Sequence, residues 1–182
     1  MRYPTQSDIE EMMARGYDPV TIAEQTELAK RGLIAEAIKN EIRNVFASVV
    51  LGAGVGLYEA NGLDDYANEE ALAKYRASDE RHDWSAIPLK ELNRYSSSLS
   101  FFDAEGMRFH IPAYLIADID GNYGFDLPFH LSQSIQLEER FSLLNTEQRA
   151  VIRKYLQFMI EEESHAFDRE RIQRALNDYW AN

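Results

Sequence analysis

The sequence contains no cysteine. A disulfide framework, a cysteine nucleophile and a Cys-ligated zinc or iron–sulfur site are excluded together. Long apolar runs are also lacking. The longest in the middle of the chain is Ile111–Ala117, far short of the ~18–20 residues that cross a bilayer. The first residues, MRYPTQSDIEEMMARG, carry one early Arg with no apolar stretch behind it. No secretory signal is therefore expected, and the chain reads as cytoplasmic. Basic residues are scarce: 19 Lys and Arg face 31 Asp and Glu, a formal charge of −12. Between Phe109 and Glu139 there is no Lys or Arg, while Asp118, Asp120, Asp126, Glu138 and Glu139 are acidic. Nucleic acid and anionic membrane need clustered cations, so neither is an expected partner.

What is present suits one folded domain. Of the 182 residues, 45% are hydrophobic and 27% charged, enough apolar material for a core and too little charge for wholesale disorder. The acidity has two readings. Net charge away from zero keeps a protein soluble. An acidic face can also meet a basic partner, and the charge is uneven: eight acids against three bases lie between Glu59 and Asp83.

Periodicity and capping chemistry predict helices. Ser7 and Glu10 have capping-box spacing, with a stop near Gly16. Asp18-Pro19 reads as an N-cap followed by proline at the first helical position, opening a helix to Arg31 that Gly32 breaks. Leu33–Val50 reads as a second helix, burying Ile34, Ile38, Ile42, Val45, Phe46 and Val49 and exposing Lys39. It ends at the glycine-rich Gly52–Gly56. Glu59–Tyr66 is ambiguous because of Gly62. Ala67–Glu70 opens a helix to about Ser78, and Pro88 opens a short one. Asp103 caps a central helix that Gly106 and Pro112 divide or kink. Tyr123, Phe125, Leu127, Phe129 and Leu131 alternate with period two, so 122–131 is the best strand candidate. Asn145 and Gln148 begin a helix burying Val151, Ile152, Tyr155, Leu156 and Met159, and a last helix carries Ile172, Ala175, Leu176 and Tyr179. The expected architecture is mostly α: a single-domain, bundle-like fold with a kinked central helix and at most a small β element near 122–131. A helical arm (1–32) precedes the main helical domain (33–182).

Candidate chemistry is sparse. Gly52-Ala53-Gly54-Val55-Gly56 follows a helix rather than a strand, and no Lys-Ser or Lys-Thr succeeds it, so it is no dinucleotide fingerprint or P-loop. His82, His110, His130 and His165 include no pair at helical metal-binding spacing. No metal or cofactor is expected. Ser96, Ser97, Ser98 and Ser100 lack a nucleophile elbow and suit a turn. The densest polar patch, Asp79-Glu80-Arg81-His82-Asp83-Trp84, could do acid–base work. It could equally form a structural network around a helix end, anchored by Trp84. Arg108, between apolar neighbours, is expected to pair with Asp79, Glu80 or Asp83.

Three stretches together carry a resemblance: Arg76–Trp84 (RASDERHDW), Leu99–Ile119 (LSFFDAEGMRFHIPAYLIADI) and Asn145–Phe158 (NTEQRAVIRKYLQF). The pattern, over about residues 37 to 160, resembles a bacterial family catalogued only as a domain of unknown function. The resemblance implies a fold lineage and brings no catalytic residues.

Small acidic bacterial proteins without a catalytic motif often serve as immunity proteins that cover a toxin's active site. By that analogy, the expected function is an inhibitor or immunity protein that occludes a basic toxin or effector. Asp64, Asp65, Asp79, Glu80 and Asp83 would supply charge complementarity. The alternatives are a small enzyme with its site around Asp79–Trp84 and His110, or a regulatory or structural subunit.

Overall fold

Side-chain caps set where the helices begin. Asp18 accepts the amides of Val20 and Thr21 and Pro19 follows it. Asn145 and Gln148 close a reciprocal capping box. Asn68 caps with the Ala71 amide and Asp103 with that of Gly106. These caps neutralise amides that have no partner within the helix. At the N-terminus the box is one step earlier than Ser7/Glu10 predicts: Thr5 and Asp8 form it, and the helix starts at Gln6.

The computed structural model of the protein describes residues 3–133 and 137–181; residues 1 and 2 of the expected arm lie outside them. Ten α-helices occur among the described residues, and no strand. They are α1 (Gln6–Ala14), α2 (Pro19–Val45), α3 (Leu57–Asp64), α4 (Glu69–Ser78), α5 (Leu89–Arg94), α6 (Ala104–Ile119), α7 (Leu127–Ser132), α8 (Leu137–Arg140), α9 (Thr146–Met159) and α10 (Arg169–Asp178). The fold is mostly α and single-domain. No described helix is long and apolar enough to cross a membrane.

At the centre lies α6, with 12 of its 16 residues buried. Helices α2 and α9 pack on each other, α2 also packs on α6, and α7 and α8 contact α6 as well. The expected division at Gly106 and Pro112 does not occur: one helix runs through both. An interior proline costs ~3 kcal/mol, and enclosure on all sides outweighs that cost.

Three further expectations are corrected. The 122–131 segment is a turn followed by α7: Asp126 accepts the Phe129 amide, Pro128 occupies the first turn, and Leu127 and Leu131 are buried one helical turn apart. Its apparent alternation was a coincidence with a four-residue step. Secondly, α2 runs unbroken through Gly32. Gly32 is required for close approach, since a Cβ there would stand 2.8 Å from that of Tyr3. The Tyr3 ring packs edge-on against Phe158 and its hydroxyl donates to Glu162. Arg31 holds Glu162 at 2.6 Å and lies over the Phe158 ring. Thirdly, the expected stripe holds at Ile38, Ile42, Phe46 and Val49 and fails at Ile34, where Ala35 takes its place. Ala35, Ile38 and Ile42 are buried, Ile34 is exposed, and Lys39 is buried against Asp120 at 2.5 Å.

The glycine contact makes a prediction of opposite signs. Alanine is normally better than glycine inside a helix by roughly 0.5–1 kcal/mol. Here Gly32→Ala should instead lose about 1 kcal/mol, because it lifts the Tyr3 ring off Phe158. In a Tyr3→Gly background the same change should stabilise. Urea melts of the four variants check this, and a stabilising Gly32→Ala in the parent would refute it.

Candidate functional site

Helices α3 and α4 form an antiparallel hairpin that carries most of the sequence-predicted site residues. Gly56 is the N-cap of α3 and has no side chain to offer. The carboxylate of Asp79, which follows α4, takes its place: Oδ1 accepts the Tyr58 amide at 2.7 Å and Oδ2 that of Glu59 at 3.3 Å. A Cβ on Gly56 would stand 2.1 Å from the Asp79 Cγ, so the missing side chain is what admits the carboxylate. Beside it, buried Glu59 pairs with Arg76 at 2.6 Å. At Gly62 a Cβ would meet the Tyr75 ring at 2.6 Å, so glycine lets the two helices close.

Asp79 is therefore a helix cap and not an exposed acid. Burial pushes its carboxyl above the usual range, against the lowering effect of the two amides. Glu80 is half-buried and accepts the amides of His82 and Asp83, which hold its carboxyl below the usual range. Asp83 is exposed and caps the short 3-10 turn Trp84–Ala86 through Ser85, while Trp84 is buried and donates to the Phe46 carbonyl. Asp64 and Asp65 sit at the other end of the hairpin, beyond the length of α4, about 15 Å at 1.5 Å per residue. The five acids thus form no single face.

The expected ion pair of Arg108 is not made. Its buried Nε has no hydrogen-bond partner among the described residues. The three proposed carboxylates accept backbone amides instead.

The sequence reading missed the hairpin tip. There Tyr66 adopts φ +54° and is 96% exposed. The Tyr66 amide donates to the Leu63 carbonyl and that of Ala67 to Gly62. This is a Schellman closure with tyrosine where glycine is usual. A two-residue gap between the acids ending α3 and the Asn68 cap was the available signal. Phe167 is also fully exposed, without the left-handed backbone.

His110 lies on α6 and is 1% exposed. Its Nδ1 meets the Gly106 carbonyl at 2.7 Å, and its ring stacks on Phe102. Burial pushes its pKa down to about 4. With Asp79, Glu80 and Tyr58 it lines a cavity of about 240 Å³ at the base of the hairpin. Asp83 and Trp84 instead line a larger groove with Arg43 and Asp120. No group of three or more His, Asp or Glu among the described residues is placed to hold a metal ion.

With this geometry in view, the sequence profile of a family of unknown function (DUF6714) matches residues 34–182. The chain belongs to that family. The resemblance read over residues 37 to 160 is borne out, and the match extends to the C-terminal helix α10. It begins inside α2, so α1 and the first half of α2 lie outside it. No curated protein and no solved structure matches the chain.

Two predictions arise from this site. Gly56→Ala should cost about 2 kcal/mol or more by displacing the Asp79 cap. In an Asp79→Gly background, which removes the obstructing atoms, it should cost little; equal costs in both backgrounds would show that the two residues are uncoupled. The second concerns pH. His110 binds its proton more weakly in the native state than unfolded, so its contribution is complete above pH 6.5 and is lost as pH falls towards 4. The loss amounts to about 3 kcal/mol. Asp79, shifted upwards, acts in the opposite sense, its contribution falling as pH rises. The His110 ring proton shifts should stay flat between pH 7 and pH 5; a mid-range titration would contradict the burial argument.

Proposed function

We propose that this protein binds and covers a basic protein partner, as an inhibitor or immunity protein does with a toxin or effector, and that the α3–α4 tip makes the contact. Tyr66 carries the reading. A left-handed backbone costs a non-glycine residue about 1 kcal/mol, and a side chain 96% exposed returns nothing to the core. Replacing glycine with tyrosine there makes sense if the ring is used by something outside the chain. Tyrosine is a favoured interface anchor because it offers large, amphipathic contact area.

The tip's charge points to a basic partner. Asp64 and Asp65 precede Tyr66, and the exposed Glu69 and Glu70 open α4. Their nearest cations, Arg76 and Lys74, are partly occupied: Arg76 by Glu59 and Glu69, Lys74 by Glu70. An aromatic anchor with an acidic rim gains association rate from steering and specificity from charge matching. Asp79 and Glu80 support this surface from below by holding the hairpin's base. Asp83 belongs to the base and not to the contact.

Tyr66→Gly separates the two roles of this position. It should stabilise the isolated protein by about 1 kcal/mol and weaken partner binding about tenfold or more. Asp65→Asn with Glu69→Gln should mainly slow association and flatten its salt dependence. The test is a pull-down from the native host with parent and Tyr66→Gly chains, washed at low salt, with retained proteins identified by mass. Binding kinetics and activity assays follow on the purified partner. A basic protein retained only by the parent, whose own activity the parent blocks, is the expected result. Equal retention by both chains, or no basic protein, would overturn the assignment.

A further inference from the structure

The cavity under the α3–α4 hairpin is unusually one-sided in its chemistry. Its polar lining includes two carboxylates, Asp79 and Glu80, and the His110 imidazole, with no Lys or Arg. Ile87 and Pro88 supply apolar wall. The imidazole is the decisive group. Its Nδ1 is committed to the Gly106 carbonyl, so Nδ1 carries the proton and donates. That leaves Nε2 as an acceptor, and Nε2 has no hydrogen-bond partner within the protein among the described residues. The residue is 1% exposed. Nε2 is not one of the fully enclosed polar atoms that lack a partner, and His110 lines the cavity, so a donor that enters the cavity can reach this nitrogen.

The two carboxylates decide its charge. Each Asp79 oxygen accepts one backbone amide and retains a further lone pair. Glu80 uses Oε1 for the amides of His82 and Asp83, leaving Oε2. All three groups accept and two are anionic; Tyr58 and Ser78 add hydroxyls, which can accept as well, and the rest of the wall is apolar. We propose that this cavity binds a primary ammonium ion carried on a short apolar stem, its N–H groups meeting His110, Asp79 and Glu80 and its stem lying on Ile87 and Pro88. A volume of about 240 Å³ leaves room for a stem of roughly four carbons. A carboxylate would be repelled, and a quaternary ammonium has no N–H to give Nε2. The inference is independent of Tyr66 and of the proposed function. The same ammonium can come from a free alkylamine or from a lysine side chain of another protein.

The probe is n-butylammonium chloride, titrated into the whole chain with ionic strength matched by sodium chloride. The readouts are the long-range ¹H–¹⁵N signals of the His110 ring and the backbone amides of Tyr58 and Glu59. A saturable shift at all three sites is expected, with none from tetramethylammonium or butyrate. Glu80→Gln keeps an oxygen for the His82 and Asp83 amides while removing the charge. It should weaken the response about fivefold. His110→Leu should abolish the shift of the two amides; if that variant does not fold, the Glu80→Gln comparison decides alone. A second arm uses Nα-acetyl-lysine N-methylamide. Saturation by both compounds shows that a protein's lysine can enter, and saturation by butylammonium alone assigns the cavity to free amines. No saturable shift from either, an equal shift from tetramethylammonium, or an unchanged response in Glu80→Gln would overturn the proposal.

Discussion

A helix without a solvent face must be enclosed by everything else, and α6 is such a helix. Among the described residues some of its buried polar groups find partners and others, the Tyr114 hydroxyl and the Arg108 Nε, do not. The Tyr155 hydroxyl donates to buried Asp118 at 2.5 Å. Asp103 caps the first turn and also accepts the Val55 amide, joining the glycine-rich loop to it. That loop crosses the helix start at backbone distance: a Cβ on Gly106 would stand 2.4 Å from the Val55 carbonyl, and one on Gly54 2.8 Å from the Gly106 amide. These glycines serve close packing, which is why they fit no phosphate-binding pattern. Pro112 lies within α6 and is buried there, in a helix that α2, α7 and α8 all contact.

The enclosure of α6 brings α3 to the 3-10 turn Ser96–Ser100, where buried Ser98 donates to the Leu57 carbonyl. The base of the hairpin is thereby fixed on the core, and its tip is left to solvent. Asp79 is the hinge of this arrangement in the covalent sense: it ends one helix and caps the other. A cap supplied from a residue 20 or more positions away makes α3 dependent on α4 being in place. The base is over-determined by the cap, the Glu59–Arg76 pair and the Gly62 contact. That rigidity is what lets the tip hold a tyrosine in a conformation it would otherwise leave.

Features with a local cause were legible in the sequence. Asp18-Pro19, Asn68, Asp103 and the Asn145–Gln148 box act within one helical turn, and each begins a helix as read. The α9 stripe Val151, Ile152, Tyr155, Leu156 and Met159 is buried as its spacing implied. Features with a distant cause were not. Gly32 reads as a break because its partner, Tyr3, is separated from it by α1 and the first half of α2. Asp79 reads as a solvated charge because the amides it serves lie in another helix. Arg108 drew a pairing with carboxylates that the backbone had already claimed. The 122–131 alternation misled because Leu127 and Leu131 satisfy a period of two and a step of four alike, and the Asp126 cap and Pro128 decide between them.

The distinction between acids that build the fold and acids left over resolves the puzzle of the charge-dense region. Asp79, Glu80, Asp83 and Asp103 each accept backbone amides. A carboxylate in that position is a structural group, whatever its charge suggests. Once these are set aside, the acids of the hairpin tip remain, and they surround a strained tyrosine. Below them, the His110 imidazole and two of the structural carboxylates line one cavity. Most of the molecule agrees with itself at every level, from cap to core. Local rules broken without a compensating gain inside the chain are expected where the chain meets something else, and the strained tyrosine at the tip of this hairpin is such a place.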